Sequence, residues 1–154
     1  MAFTRWLTAK YRDACLIGAD EEIRLPTEVE WEYTARETDE RRYPYGDKFE
    51  ATKGNTGETG IGQTSAVGLF PDGASPFDVL DMSGNVWEWC LNKYREPEVV
   101  AVDDSGDSRV LRGGSFLSLL IRAAASYRFN YSPNSRDYDF GFRVVVGSAP
   151  IEGL

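Results

Sequence analysis

The side chains that could carry out covalent or metal chemistry are few, because this 154-residue chain has two cysteines and no histidine. The absence of histidine excludes Ser-His-Asp triads, Cys-His dyads and histidine-bound iron or zinc. The spacing of Cys15 and Cys90 matches no zinc or redox motif, so we predict two reduced thiols. Chemistry based on carboxylate, Tyr, Lys or Cys side chains remains open.

Three alternating carboxylates, Glu28, Glu30 and Glu32, form the first acidic cluster. Thr27 precedes them, and Glu30 follows Thr27 by three positions, which is the spacing of a helix capping box. Negative charge is also favoured in the first turns of a helix by the helix dipole. The sequence therefore predicts a helix start here, and a structural rather than catalytic role for the cluster.

A second polar group surrounds a predicted bend and strand. Ser83-Gly84-Asn85 predicts the bend, and residues 86–89 alternate as a strand. Trp87 and Trp89 then share one face, most simply a core face, and Glu88 points the other way. An exposed Glu88 is the simpler interpretation, but beside Asn85 and the free carbonyl groups of the bend it could join an oxygen-rich cation site.

Residues 109–146 are the stretch around which the chain is organised. The two ends predict strands, at residues 110–111 and 141–146, whereas residues 117–140 have neither helical nor strand periodicity. Ser, Asn, Asp, Tyr and Phe are abundant in residues 117–140, and this mixture is typical of binding surfaces. The alternative is an ordinary long surface loop with some buried aromatic residues.

The remaining elements predict a single α+β domain over residues 1–154, with few short strands and long loops. A first helix is predicted over residues 3–15, with Phe3, Leu7 and Tyr11 on its apolar face, and a brief strand over residues 67–70.

The net charge of −8 argues against a nucleic-acid partner. No membrane span or secretory signal is recognisable, so a cytoplasmic location is expected.

Several motifs, in this order, resemble the formylglycine-generating-enzyme-like domains, which are variants of the C-type lectin fold. The motifs are Arg24-Leu25-Pro26-Thr27-Glu28-Val29-Glu30-Trp31, Tyr43-Pro44-Tyr45-Gly46-Asp47, Asp81-Met82-Ser83-Gly84-Asn85-Val86-Trp87-Glu88-Trp89, Arg112-Gly113-Gly114-Ser115 and Gly141-Phe142-Arg143. The resemblance covers roughly residues 4–146 and implies an irregular C-type lectin fold. The N-terminal portion of the family domain, with its own strands, is expected to be missing.

The resemblance also implies which cofactors to expect. The oxidase of this family binds copper through two cysteines that follow the Arg-Gly-Gly-Ser motif, and residues 116–140 contain none. Related sulfoxide synthases bind iron through histidine, which is absent. We therefore expect no required cofactor. A structural calcium site is implied at Asn85, Val86 and Glu88, and a weaker one at Asn55 and Thr56 with Ile61.

A third branch of the family, the variable proteins of diversity-generating retroelements, resembles this chain through its C-terminus. Mutation of template adenines in Asn codons cannot produce Lys, Glu, Gln, Met or Trp, and residues 117–140 contain none of these five. The resemblance implies a variable region within residues 109–146, with these diversified positions: Leu117, Ser118, Leu119, Leu120, Ile121, Ser126, Tyr127, Phe129, Asn130, Tyr131, Ser132, Asn134, Ser135, Asp137, Tyr138, Asp139 and Phe140.

The sequence thus predicts a non-catalytic protein that binds a protein or another macromolecule through residues 117–140. Two alternatives stay open. One is a divergent enzyme of the same fold that uses Cys90 or a carboxylate. The other is an interaction module of a larger signalling protein, in which residues 117–140 are merely structural.

Overall fold

Two helices and six short strands form the regular structure of the computed structural model, which describes residues 2–102 and 105–150. The helices are α1 (Ala2–Asp13) and α2 (Glu28–Arg36). The strands are β1 (Glu22–Arg24), β2 (Trp87–Lys93), β3 (Arg109–Arg112), β4 (Phe129–Tyr131), β5 (Phe140–Gly141) and β6 (Val145–Gly147). Long connections with three single turns of 3-10 helix link them, which confirms the α+β class predicted from the sequence.

The strands form two separate sheets. The larger has the order β4-β3-β2-β5, in which β3 is antiparallel to both β2 and β4, and β5 runs parallel to β2. The smaller pairs β1 with β6 in an antiparallel ladder that aligns Ile23 with Val146. Because β1 lies near one end of the described chain and β6 near the other, their pairing brings these two parts of the chain together.

The core lies between α2 and one face of the larger sheet. Trp31 of α2 packs there with Cys90 of β2 and Val110 of β3, and all three are buried. The predicted capping box starts α2: the Thr27 hydroxyl accepts from the Glu30 amide, and the Glu30 carboxylate accepts from the Thr27 amide. This start fixes the direction in which α2 crosses the sheet.

The first helix exists, but its predicted buried face is wrong. Its buried residues are Thr4 and Thr8, whereas Phe3 and Tyr11 are exposed. The reason is a pair of hydrogen bonds to β1: the Thr8 hydroxyl accepts from the Ile23 amide at 2.9 Å and donates to the Ile23 carbonyl at 3.2 Å. The threonine face therefore docks on the domain, and the aromatic face points outward.

Two strand predictions need correction. Residues 67–70 form a turn, in which the Leu69 amide bonds the Ala66 carbonyl, because no neighbouring strand is placed to pair with them in the described chain. The closing strand predicted over residues 141–146 is split into β5 and β6, which belong to different sheets. Arg143 lies at the break and turns its side chain inward to Glu88.

None of the helices in the described part of the chain has the length and apolar character needed to cross a bilayer.

Candidate binding surface

A buried group of ion pairs joins α2 to the start of the predicted variable region. Arg112, at the end of β3, is fully buried and donates to Glu28 at 3.0 Å and to Glu32 at 2.6 Å. Its guanidinium also lies 5.2 Å from the centre of the Trp31 ring, within the range of a cation–π contact. Arg128 completes the group by a bidentate pair with Glu28, at 2.6 and 2.8 Å, and this pairing raises the pKa of Arg128.

Arg112 also holds the backbone of the segment that follows β3. The same guanidinium donates to the carbonyl oxygens of Ala125 at 2.7 Å and Ser126 at 3.3 Å. Glu28 and Glu32 orient the guanidinium, whose terminal N–H groups donate to carboxylates and carbonyls together. The carboxylates of α2 thereby position the segment in two ways, through Arg112 and through the direct pair of Glu28 with Arg128.

Other parts of the domain hold the same backbone at further points. Hydrogen bonds from the Gly57 amide, the Tyr43 hydroxyl and the Ser83 hydroxyl end on the carbonyl oxygens of residues 118, 120 and 123. Two amides of the segment donate outward, from Leu120 to the Glu58 carboxylate and from Ala125 to the Arg42 carbonyl. These contacts use main-chain atoms of the segment, so they do not depend on which side chains residues 117–121 carry.

Several side chains of residues 117–140 point into solvent. The exposed fraction is 51% for Leu117, 64% for Leu119, 56% for Ile121 and 74% for Tyr138. Monomeric proteins rarely expose neighbouring large apolar side chains unless they mark an interaction site. A fixed backbone with exposed apolar and aromatic side chains is what a binding surface requires.

Two of the predicted binding residues are not at the surface. Ser118 and Asp139 are buried, and Ser115 connects them: its hydroxyl donates to Asp139 at 2.7 Å and lies 3.3 Å from the Ser118 hydroxyl. Ser118 also accepts from the Ser115 amide. This pair of residues supports the surface from below.

Aromatic residues of β4 and β5 line the face of the larger sheet that lies opposite α2. Phe129 of β4 lies 4.9 Å from Trp87, and Phe140 of β5 lies 5.8 Å from Trp89, measured between ring centres. Tyr131 stands 5.2 Å from Phe140 and is 44% exposed. Phe129 and Phe140 are half-buried, so this layer both packs on the tryptophans and offers its rim to solvent.

The remaining predicted binding positions divide by exposure. Exposed side chains are Leu120, Ser126, Asn134 and Asp137; half-buried side chains are Tyr127, Asn130, Ser132 and Ser135. Among the other residues of the segment, Ala123 and Ala124 are buried and Arg128 is paired, whereas Arg122 and Arg136 are exposed. Most of the predicted positions therefore reach solvent on one irregular segment.

The expectation of an exposed Glu88 is wrong. Glu88 is buried on the face of β2 that carries Cys90, where its carboxylate accepts from the Trp31 indole at 2.6 Å and from Arg143 at 2.6 and 2.8 Å. The face of β2 that was predicted to point towards solvent is therefore the face that packs on α2.

Calcium binding at Asn85, Val86 and Glu88 stays a prediction. The Glu88 carboxylate accepts from three N–H donors, and the Asn85 side-chain oxygen accepts from the Ser65 amide at 3.0 Å. Glu88 therefore has a structural role in the core.

The second implied calcium position fits the local chemistry better. The side-chain oxygen of Asn55 is buried and accepts no hydrogen bond from the described residues, and the hydroxyl of the neighbouring Thr56 is also buried. Buried polar atoms of this kind are normally satisfied, and an amide oxygen is a suitable calcium ligand. Thr59, however, uses its hydroxyl within the turn, where it donates to the Gly54 carbonyl at 2.7 Å. Calcium binding stays a prediction.

The two cysteines are free, with Cys15 exposed and Cys90 buried. Burial raises the pKa of the Cys90 thiol, with nearby carboxylates adding to the effect, so that the reactive thiolate form is disfavoured. Cys90 packs against Trp31 and Val110 in the core. Its surroundings are those of an inert structural cysteine.

The sequence reasoning missed the partners of the acidic cluster. Glu28 was assigned to helix capping alone, although it is buried and binds Arg112 and Arg128. One signal was available, since one arginine precedes the segment without regular periodicity and the other lies within it. The two arginines nevertheless lie 84 and 100 positions after Glu28 in the chain, so only the folded structure shows that they pair with it.

Comparison with known protein families gives one match over almost the whole chain. Residues 1–148 match the sulfatase-modifying factor enzyme 1-like domain. Among curated proteins, the inactive C-alpha-formylglycine-generating enzyme 2 of Bos taurus is 36% identical over 141 residues, covering 81% of this chain and 44% of that protein. The formylglycine-generating enzyme of Thermomonospora curvata is 34% identical over 152 residues, covering 80% of this chain and 49% of that enzyme.

A solved structure supports the same fold. Treponema denticola variable protein 1 superposes with a TM-score of 0.67 and is 30% identical, covering 84% of this chain and 49% of that one. The chain therefore spans about half the length of the relatives it matches. These relatives include a protein described as inactive, an enzyme and a variable protein, so the match alone does not choose among their activities.

Replacement of Arg112 by methionine tests the buried ion pairs. Methionine fills similar space but removes the ion pair with Glu32 and one of the two that Glu28 makes. It also leaves the Ala125 carbonyl without its Arg112 donor, so we expect the free energy of unfolding to fall by about 1–3 kcal/mol. Urea denaturation followed by tryptophan fluorescence measures the change. Arg136→Met is the matched control, because Arg136 is exposed on the same segment, and its change should stay within about 0.5 kcal/mol. Equal effects of the two substitutions would contradict the role assigned to Arg112.

Alkylation tests the state of the thiols. In native protein at pH 8, iodoacetamide should modify Cys15 alone, and Cys90 should react only after denaturation, because the folded core excludes reagent and disfavours the thiolate. Intact-mass measurement counts the adducts, and the Cys15→Ser variant should remain unmodified while folded. Rapid native alkylation of Cys90 would support the enzyme alternative instead.

Proposed function

This chain belongs to the sulfatase-modifying factor enzyme 1-like family, and within that family we propose that it is a non-catalytic domain that binds a macromolecular ligand. The binding surface is built by residues 117–140, and its partner is a protein or another macromolecule rather than nucleic acid. The observation that carries the proposal is the separation of roles in this segment. Main-chain atoms are held by the rest of the domain, and many side chains are exposed.

This separation allows the side chains to change without loss of the fold. Exposed side chains such as Leu119 and Tyr138 contribute little to stability when replaced, since surface substitutions typically change it by less than about 0.5 kcal/mol. The rigid rings of Tyr131 and Tyr138 offer large contact areas at low entropic cost. Exposed leucines and isoleucine around them supply apolar area, and Asp137 and Asn134 supply polar contacts at the rim.

We further propose that this segment is diversified by a retroelement. The support is the set of residue types in positions 117–140, which excludes the five that adenine mutation of Asn codons cannot produce. The likeness to Treponema denticola variable protein 1 agrees with it. Ser118 and Asp139 fit least well as freely changing positions, because both are buried in the network around Ser115.

Catalysis by this chain has less support than binding. Cys90 is buried, with its pKa raised, and Cys15 lies at the end of α1, outside the segment that follows the Arg-Gly-Gly-Ser motif. Glu28 and Glu88, the buried carboxylates of the core, are bound by arginines on their acceptor atoms. The relatives described as formylglycine-generating enzymes keep an enzyme role as the second candidate function.

Sequencing the DNA that flanks the gene tests diversification. We expect a near-identical copy of the coding region for residues 109–146 that differs only at adenines of the copy, with a reverse transcriptase gene nearby. The positions that differ should include the exposed residues Leu119, Ile121 and Tyr138. A complete locus without such a repeat would remove the retroelement from the proposal and leave a binding domain of fixed sequence.

A pair of displayed libraries tests the binding surface itself. One library randomises six exposed positions of the segment: Leu117, Leu119, Leu120, Ile121, Tyr131 and Tyr138. The other randomises six exposed positions elsewhere: Lys48, Thr52, Gln63, Thr64, Val67 and Leu69. Selection on immobilised lysozyme should give specific, cooperatively folded binders from the first library and few or none from the second.

The reason for this expectation is the geometry of the segment, which presents its six positions on a backbone held at both ends and in the middle. Unfolding curves of unselected members check that randomisation preserves the fold. A first library whose members mostly fail to unfold cooperatively would show that these side chains are core, and equal yields from both libraries would show that the segment has no special capacity for binding.

A further inference from the structure

A cleft with a volume of about 480 Å³ lies between α1, β1 and residues 100–102. We call it the α1 cleft and define it by six of the residues that line it: Arg5, Thr8, Arg12, Ile23, Leu91 and Val100. Its volume falls within the range of about 300–1,000 Å³ that is usual for small-molecule sites. The α1 cleft therefore has the dimensions needed to hold a small ligand.

The way in which α1 docks leaves this space open. Thr4 and Thr8 are the buried residues of the helix, and the Thr8 hydroxyl bonds both the amide and the carbonyl of Ile23. Threonine side chains are short, so the helix is held on β1 without burying a large apolar side chain of its own. The opposite wall is formed by the buried Ile23 and Leu91 and by the half-buried Val100, and this wall is apolar.

The helical wall of the cleft is cationic. Arg5, Thr8 and Arg12 occupy positions i, i+3 and i+7 of α1, which places them on one face of the helix. The helix carries three basic side chains and one carboxylate, that of Asp13, although the whole chain has a net charge of −8. A cleft lined by one sign of charge focuses the electric field, so this local reversal attracts anions.

The arginines of this wall keep charge and donors for a ligand. Arg12 donates from Nε and Nη2 to the Glu21 carbonyl at 3.1 and 2.7 Å, which orients the guanidinium without neutralising it. The Glu21 carboxylate instead accepts from the Gly18 amide at 2.7 Å. Neither Arg5 nor Arg12 forms an ion pair within residues 2–102 and 105–150. An arginine that is already oriented loses less freedom when it binds a ligand.

The other charged groups at the cleft offset one another. Arg24 also lines the cleft, but it is buried and pairs with Glu30 at 2.7 and 2.8 Å. Among the described residues that line the cleft, Glu22 is the one carboxylate, and it lies 3.9 Å from the Arg24 Nε atom. The uncompensated positive charge that faces the cleft therefore comes from Arg5 and Arg12.

From these contacts we infer that the α1 cleft binds a small amphipathic acid, a molecule with one anionic head group and an apolar body. The head group pairs with the oriented guanidinium of Arg12, and Arg5 adds attraction from the same helix face. The apolar body lies on Ile23 and Leu91. The inference is independent of the proposed function, because none of the described residues that line the cleft belongs to the segment 117–140.

Charge and polarity argue against other classes of small ligand. A cation would meet two guanidinium groups that have no carboxylate partner of their own, and the two charges would repel. A neutral apolar molecule would cover these groups without offering them an acceptor, which costs free energy of hydration. An acid with an apolar body satisfies both walls of the α1 cleft.

Titration of the whole chain with defined probes tests the inference. The acids are decanoate and phenylbutyrate, and the matched controls are decanol and decyltrimethylammonium, all below their micelle concentrations. Isothermal calorimetry should show saturable binding of one acid molecule per chain, and at least about tenfold weaker binding of decanol, which lacks the charge-assisted hydrogen bonds. In amide NMR spectra of unaltered protein, the signals of Thr8, Ile23 and Leu91 should shift.

Matched variants locate the head group and the apolar body. Arg12→Gln should weaken decanoate binding at least about tenfold, whereas Arg95→Gln, at an exposed arginine outside the cleft, should change it less than about twofold. Ala9→Trp should abolish saturable binding without changing any charge, because Ala9 lines the cleft and the larger ring fills it. Thermal unfolding followed by circular dichroism checks each variant, and Arg5→Gln takes the place of Arg12→Gln if the latter does not fold.

Three results would overturn the inference. One is the absence of saturable binding of either acid to the folded chain. The second is equal affinity for decanoate and decanol, since apolar contact alone would then explain the binding. The third is a set of NMR shifts centred on Trp6 and Phe142, because the probe would then lie on exposed aromatic side chains outside the cleft.

Discussion

The buried contact between Arg112 and the carboxylates of α2 is the interaction on which the rest of the domain depends. A guanidinium without solvent is costly unless each charge is paired, and here Glu28 and Glu32 pair it while Trp31 covers its face. Its terminal nitrogens also donate to the carbonyls of Ala125 and Ser126, whereas its Nε–H has no hydrogen-bond partner in the described residues. One side chain thus joins the helix, the sheet and the segment that follows β3, and two carboxylates share its charge.

This arrangement explains how a long segment without regular structure can be well defined. Loops usually lie on the surface because their backbone groups need water. In this chain, fixed groups such as Arg112, Ser83 and Tyr43 replace water on one side of the segment. The other side is then free to carry side chains chosen for a partner, and the fold need not change when they do.

The larger sheet shows why local patterns can identify a strand and still misplace its faces. Alternation in β2 predicted that Trp87 and Trp89 face the core and that Glu88 faces solvent. Both faces are covered: Glu88 points to Trp31 and Arg143, and Trp87 packs against Phe129. Hydrophobicity separates buried from exposed residues only when buried polar groups are absent. Here Arg143, from the break between β5 and β6, makes burial of the Glu88 carboxylate favourable.

The sequence by itself determined the family, the α+β class and the capped start of α2, but it did not reveal strand β4 within residues 117–140. Each of these depends on local signals, such as Thr27 with Glu30, or on motifs in order. Only the tertiary structure decided that Glu28 belongs to Arg112 and Arg128, that Ser118 and Asp139 lie beneath the surface, and that the aromatic face of α1 is exposed. Those outcomes depend on pairings between residues far apart in the chain, and composition and periodicity carry no information about which distant partner a polar group will find.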